Sequence, residues 1–473
     1  MSRQIQSLRA TITRRAALQA GSIGLIGLPQ LYAWGGDGRS SPVVPDRSVI
    51  FLFLTGGLSH QDTFDMKPLA PDTVRSEFRP IETRTPGLQI CEHLPLLAEQ
   101  SDRYALVRSV STNSSGHEEA CHMLLSGRLD SSPGFNVKNV PSPLEWPSMA
   151  AQVMHATRGR NNLPSAAVLP QPSINEAGEV RPGQNAGRLG PQHDAWRLNI
   201  AAPCPLGNGA CPHCFRFNNA PFHHASPTIF ETPRLTLPEG GSWRFQGRLG
   251  LLSHLEEQQR SLEAAASVNN LDRHRQQAIS LLANPKVRNA FNVEQADERT
   301  LARYGKNKFG LSMLMSYRLV EAGVNLVQVN VGKNSSWDTH FGNFVNLRDN
   351  LLPYLDRAVS ALLEDLFVSG LSQKTLLIMA GEFGRTPKIN QNAGRDHWGP
   401  TNTVLFAGAG IRGGNILGVT DKLAAYPVGE RWTPENLAAT IYDTLGIPRH
   451  AAWHDTDGRT YELYRASPIG GMS

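Results

Sequence analysis

"TLLIMAGEFGRTP", Thr375–Pro387, decides the class of fold. Its first six residues are apolar apart from the threonine and show no polar alternation. Such a run reads as a strand covered on both faces, the situation of a strand inside a parallel sheet. The stretch that follows, "GEFGRTPKINQNAGRDHWGP" (Gly381–Pro400), puts Glu382, Arg385, Arg395, Asp396 and His397 into one loop. Ligands of open parallel sheets bind just beyond the carboxyl ends of the strands. The loop therefore falls where a site is expected.

Working outward, "SVIFLFLTGG" (Ser48–Gly57), "YALVRSVS" (Tyr104–Ser111), "AAVLP" (Ala166–Pro170), "VNLVQVNVG" (Val324–Gly332) and "TNTVLFAGAG" (Thr401–Gly410) read as further strands. Between them, "LGLLSHLEEQQRSLEAAA", "RHRQQAISLLA", "GLSMLMSYRLVEAG" and "FVNLRDNLLPYLDRAVSALLEDLFVSG" carry apolar residues at three- and four-residue spacings, the period of amphipathic helices. "TPENLAATIYDTLGI" adds a helix with Thr433 placed to cap it. Strands alternating with helices predict an α/β fold, a mostly parallel central sheet sandwiched between helical layers. Residues 171–241 are rich in Pro, Gly, Asn and His without periodicity and read as a long loop insertion. A helical segment follows over 243–322.

The strand ends share a chemistry. After the first strand, "TGGLSHQDTFD" offers His60, Asp62 and Asp65; after the second, "STNSSGHEEACHMLLSGR" offers Ser114, Ser115 and His117. "KNSSWDTHFGN" supplies Asp338 and His340, and the Gly381–Pro400 loop supplies Glu382, Asp396 and His397. Each item alone reads as a solvated turn. Together, carboxylates and imidazoles on one sheet edge suit zinc, manganese or iron, with magnesium or calcium at an all-oxygen position. Arg385 and Arg395 are placed to hold an anionic group bidentately, or to pin neighbouring carboxylates.

With 473 residues, 40% of them hydrophobic, the chain can bury a large core. Its net charge of +5 is scattered, without a basic stripe, which argues against a nucleic-acid partner. Arg14 and Arg15 precede a mildly apolar, glycine-interrupted run, Ala16–Leu28. That run is too short for a stable membrane span, and the pattern resembles a twin-arginine export signal. The expectation is a signal and linker over 1–47, carriage by the twin-arginine translocase, and a periplasmic or extracellular destination. Five cysteines include Cys204, Cys211 and Cys214 in "CPLGNGACPHCF", read as a disulfide loop or part of a structural zinc site.

"FLTGGLSHQDTFDMKP", "SGHEEACHMLLSGR", "RYGKNKFGLSMLMSYRLVEAGVNLVQV", "WDTHFGNF", "GEFGRTP" and "GRDHWGPTNTVLFAGAGIRGGNILGVTD" carry a resemblance to the bacterial family labelled domain of unknown function 1501, from about Ser48 to Leu463. That family is similar in fold to the alkaline phosphatase/sulfatase superfamily, whose members hydrolyse phosphate or sulfate esters with divalent metals. The resemblance implies one alkaline-phosphatase-like α/β/α sandwich over 48–473. It also implies a divalent metal (zinc, manganese or calcium) and a small-molecule or polysaccharide ester as substrate. The superfamily nucleophile stands eleven residues before the arginine of an "LTGR"-type turn; here the turn ends at Arg128 and that position holds His117. Ser114 and Ser115 are the nearby hydroxyls. The implied metal positions fall on Asp338, His340, Glu382 and His397, with His60, Asp62 or Asp65 as substitutes from the first loop. His117 and Asp396 are candidates beside them. The alternative is a non-catalytic carbohydrate- or surface-binding protein on the same scaffold.

Overall fold

Seven residues, Ser48–Leu54, form the central strand β1, and every one of them is buried. Burial on both faces is why the run is continuously apolar. In the computed structural model, residues 43–138, 140–175, 177–200, 230, 285–332 and 336–472 are described. The N-terminal arginine pair, the Cys204–Cys214 loop and residues 243–284 of the helical segment lie outside them.

The other strands are β2 (Tyr104–Val110), β3 (Ala166–Leu169), β4 (Trp196–Arg197), β5 (Leu326–Asn330), β6 (Thr375–Gly381), β7 (Asn402–Ala407) and β8 (Ile416–Leu417). They join one sheet in the order β8-β2-β7-β6-β1-β5-β3-β4. β1 pairs in parallel with β5 and β6, β3 with β5 and β4, and β8 with β2. β7 runs antiparallel to both β2 and β6. The sheet is thus mostly parallel, with one reversed strand. β1, β2, β5 and β6 share a direction, so their carboxyl ends reach the same edge, and the reversed β7 starts there.

Alternation along β1 divides the core. Val49, Phe51 and Phe53 pack with Leu124 and Leu125 of α1 (His117–Ser126), Met149 and Val153 of α2 (Met149–Ala156), and Leu437 and Ile441 of α5 (Pro434–Thr444). Against the opposite side of β1 and β5 lies α3 (Lys308–Ala322), which in turn packs on α4 (Leu352–Val368). The result is an α/β/α sandwich. α5 starts with the capping arrangement expected of Thr433, which accepts from the Asn436 backbone while Asn436 Oδ1 accepts from the Thr433 N–H.

Three differences from the sequence reading have local causes. The helix expected over 344–370 is interrupted: Asn343–Asn346 leads into a wider turn at Leu347–Leu351 before α4 begins. Pro353 has no N–H to give the preceding turn, so the regular hydrogen-bond ladder breaks there. Within the segment read as loop insertion, Trp196–Arg197 adds an edge strand beside β3. Ile416–Leu417 closes the opposite edge. Both strands have only two residues, too few to show a period.

Candidate metal centre

The edge where β1, β2, β5 and β6 end is tied together through backbone contacts. Gly57 takes φ +86°, and a Cβ there would stand 2.7 Å from the Phe383 carbonyl oxygen. Only glycine lets the β1 and β6 loops approach this closely. The approach brings the Gly56 N–H to Glu382, with Oε1 at 2.9 Å and Oε2 at 3.0 Å. The loop after β5 is held by buried Trp337, whose backbone N–H donates to the Thr55 carbonyl and whose Nε1 donates to Val331. The Gly381–Pro400 loop folds into a short ladder that sets His397 opposite Arg385. It is laced to the β5 loop by Arg395 N–H on the Thr339 carbonyl and Asn390 Nδ2 on the His340 carbonyl.

Asp338 is the centre of what these loops assemble. Its Oδ2 lies 3.1 Å from His117 Nε2, and its Oδ1 lies 3.1 Å from both His340 Nε2 and His397 Nε2. Arg385, fully buried, forms an ion pair with the same carboxylate. Ligand-type atoms of His117, Asp338 and His397 all lie within 4.8 Å of one another, a group that could hold a metal ion. The opposite ring nitrogens have separate partners: His117 Nδ1 meets Glu382 at 2.8 Å, His340 Nδ1 meets Asp396 at 2.7 Å, and His397 Nδ1 meets the Ser115 carbonyl at 2.8 Å.

Proton affinities follow this geometry. Burial would push the Asp338 carboxyl up, but the Arg385 charge and three imidazole contacts hold it far below the usual carboxylate range. Burial depresses His117, yet its bonds to Asp338 and Glu382 outweigh that and raise it. The Asp338 contact likewise raises His340 against burial. His397 is lowered, by burial first and by the Arg385 and His117 charges as well, against its bond to Asp338.

The remaining expected site residues are placed elsewhere. Glu382 and Asp396 do not stand among the three grouped ligand atoms; each instead accepts from the far side of an imidazole. Asp62 is buried against Arg395, with Oδ2 2.7 Å from Nε and Oδ1 2.9 Å from Nη2, and also accepts from Ser59 and Asn343. His60 is buried, with Nε2 on the Ala424 carbonyl. Asp65 meets Lys67, Arg108 and Thr420. These three groups hold the β1 loop in place instead: His60 and Asp65 tie it to Ala424 and Thr420, and Asp62 ties it to Arg395.

Arg395 spends all five N–H groups on Asp62 and the carbonyls of Thr386, Pro387 and Val74. Arg385 binds the carbonyls of Gly56, Gly57 and Arg395 besides Asp338. Both guanidiniums are fully buried and pin carboxylates. Ser114 Oγ accepts from the Gly116 N–H and Ser115 Oγ from the Gly399 N–H. Three participants had no signature in the residue pattern: the Gly56 N–H, the Ser115 carbonyl, and Asn390, whose Nδ2 also reaches Asp396 at 3.0 Å.

Fold and cluster together define an α/β sandwich protein with a His/Asp group at the carboxyl edge of its sheet. The chain belongs to the DUF1501 family, a protein family of unknown function, whose pattern matches residues 46–470. No curated protein sequence matches it. It is similar to the crystal structure of Ps i-CgsB in complex with k-i-k-neocarrahexaose, at 10% identity over 85% of this chain and 72% of that one, with TM-score 0.40. It is also similar to alkaline phosphatase from the Antarctic bacterium TAB5, at 9% identity over 86% and 100%, with TM-score 0.33. PsFucS1 sulfatase from Pseudoalteromonas sp. is similar at 10% identity over 85% and 68%, also with TM-score 0.33. Among the described residues no helix is long and apolar enough to cross a membrane.

Proposed function

We propose that this protein is an exported, metal-dependent hydrolase of phosphate or sulfate esters. The observation that carries the reading is the convergence of His117, at the start of α1, with Asp338 and His397 from two separate loops at the carboxyl edge of the sheet. The donor set fits a divalent cation. Asp338, Glu382 and Asp396 bring three negative charges against the single positive charge of Arg385, so with neutral imidazoles two negative charges are left over. A bound cation would supply Lewis acidity toward an ester oxygen and a water acidic enough to act near neutral pH. Around it, Arg385 fixes the Asp338 carboxylate, Glu382 orients His117 and the Ser115 carbonyl orients His397. The superfamily likeness of the sequence motifs supplies the ester class.

The expected result is turnover of aryl phosphate or aryl sulfate by the purified protein supplied with zinc or manganese, and its loss in His397→Ala. Absence of turnover across a broad ester panel would sink the hydrolase reading. Export is tested separately: replacing Arg14 and Arg15 together by lysine should leave the protein in the cytoplasm, and unchanged fractionation would reject the twin-arginine route.

One observation favours a second reading. His117, at the place of the superfamily's hydroxyl nucleophile, is taken up in contacts with Asp338 and Glu382. A non-catalytic carbohydrate-binding protein would bind on a glycan array and turn over no ester.

A further inference from the structure

His397 and Trp398 are neighbours in the short ladder of the Gly381–Pro400 loop. Successive strand residues point to opposite faces, so the two side chains part. His397 goes to Asp338, and Trp398 goes to the turn at 423–426. There the indole Nε1 donates to the Ala425 carbonyl at 2.6 Å, and the ring meets Tyr426 edge to face, with centroids 5.4 Å apart. Tyr426 is 53% exposed. Beyond it, the ladder of Val419–Thr420 with Pro427–Val428 sets Val419 opposite Val428, and both are exposed as well. A pinned indole carrying an open tyrosine thus stands back to back with the His/Asp group, one Cα step of about 3.8 Å along the chain.

The same rim carries a cation. The Gly399 N–H donates to Ser115 Oγ at 2.9 Å, and the Thr112 N–H donates to the Gly399 carbonyl at 3.0 Å. The loop before α1 therefore runs alongside Gly399, the residue after Trp398. In that loop Asn113 Oδ1 accepts from Arg431 Nη2 at 2.8 Å, and both residues are exposed. Arg385 and Arg395 spend their charge on the buried carboxylates of Asp338 and Asp62. Arg431 is held by a neutral amide at the surface, where its charge faces solvent.

Resting on the reading above for what lies next to it, we propose that Tyr426 and Arg431 form a subsite for an anionic sugar ring, the neighbour of the ring whose ester enters the His/Asp group. A sugar ring offers C–H faces to an aromatic side chain and polar groups at its edge. An amphipathic tyrosine beside a guanidinium fork matches both. A carboxylate or sulfate on that ring is the partner Arg431 would meet. A protein partner needs about 800 Å² on each side, whereas Tyr426, Val419 and Val428 are flanked by exposed Lys422, Glu430 and Arg431. Trp398 is a positioning residue: bound to Ala425, it fixes the turn that presents Tyr426.

The test is binding of the purified full chain to an array of short oligosaccharides, sulfated, uronate-bearing and neutral, with calorimetry on the members bound. Anionic members should bind in preference to neutral ones of the same backbone. Tyr426→Ala should weaken them by about 10-fold with an unchanged denaturation midpoint. Arg431→Gln should cost about 5-fold on anionic members only and remove most of the salt dependence of their binding. Aryl ester turnover, which needs no second ring, should be unaffected by either change. Binding that survives both changes, or an array with no anionic member bound, overturns the subsite and leaves the hydrolase reading to its own test. Tyr426-dependent binding with no ester turned over supports the subsite and overturns the hydrolase reading.

Discussion

Asp338→Asn is expected to empty the cluster. The asparagine keeps the shape of the aspartate but loses the charge, and its Nδ2 must donate where a carboxylate oxygen accepted. All four groups facing Asp338 are affected: Arg385 loses its counter-charge, and one or more of the three imidazoles meets an N–H in place of an oxygen. Removing only a hydrogen-bonding partner of a metal ligand costs about 10- to 100-fold in affinity, and loss of the central carboxylate should exceed that. Elemental analysis and metal titration measure it. Ester turnover should vanish with the ion.

The same change should destabilise the metal-free protein, because the Arg385 guanidinium is fully buried. Breaking a buried ion pair from one side costs about 3–5 kcal/mol. The carbonyls of Gly56, Gly57 and Arg395 that still accept from Arg385 should bring the loss toward the lower end. A variant that keeps its ion and its denaturation midpoint would remove Asp338 from the centre. Acidity should act in the same direction on the wild type. His117 and His340 are raised above the ordinary histidine value by their carboxylate contacts, so protons compete for their Nε2 atoms at a higher pH than for a free imidazole. Ion affinity should therefore fall as pH is lowered, measured by metal titration at a series of pH values.

Most of the architecture could be read from runs such as "SVIFLFL" and "TLLIMA", since a strand buried on both faces needs apolar side chains at every position. Direction was not readable: "NTVLFA" is as apolar as its neighbours yet runs the other way, because an apolar run of six residues carries no polarity of its own. At the site, the strand-end rule brought His117, Asp338, His340 and His397 to one edge, and the structure joins them there. It could not separate a carboxylate that meets the inner face of an imidazole from one that meets the outer face. Glu382 and Asp396 therefore read from sequence as candidates on the same footing as Asp338, while in the structure each meets the outer nitrogen of an imidazole. The backbone groups of Gly56 and Ser115 exert their effect without any side-chain chemistry, and no residue pattern announces them.

The arginines show the same limit and lead to the other large effect. "GRDH" places Arg395 one residue from Asp396, in a loop where it was read as an anion holder or a carboxylate pin. Its side chain goes inward to pin the Asp62 carboxylate, and neither partner of that pair is exposed. Burial would raise the Asp62 carboxyl, but the Arg395 charge and hydrogen bonds hold it below its usual range. Arg395→Met should therefore strand a buried negative charge and unbind the carbonyls of Thr386, Pro387 and Val74. The expected loss is about 3–5 kcal/mol in denaturant unfolding. Asp62→Leu alone should cost a similar amount, by stranding the guanidinium. The double replacement should recover part of the loss, since no unpaired charge is then left inside. If Arg395→Met unfolds like the wild type but loses affinity for phosphate or sulfate, the guanidinium faces the substrate after all, and the internal pair is not its role.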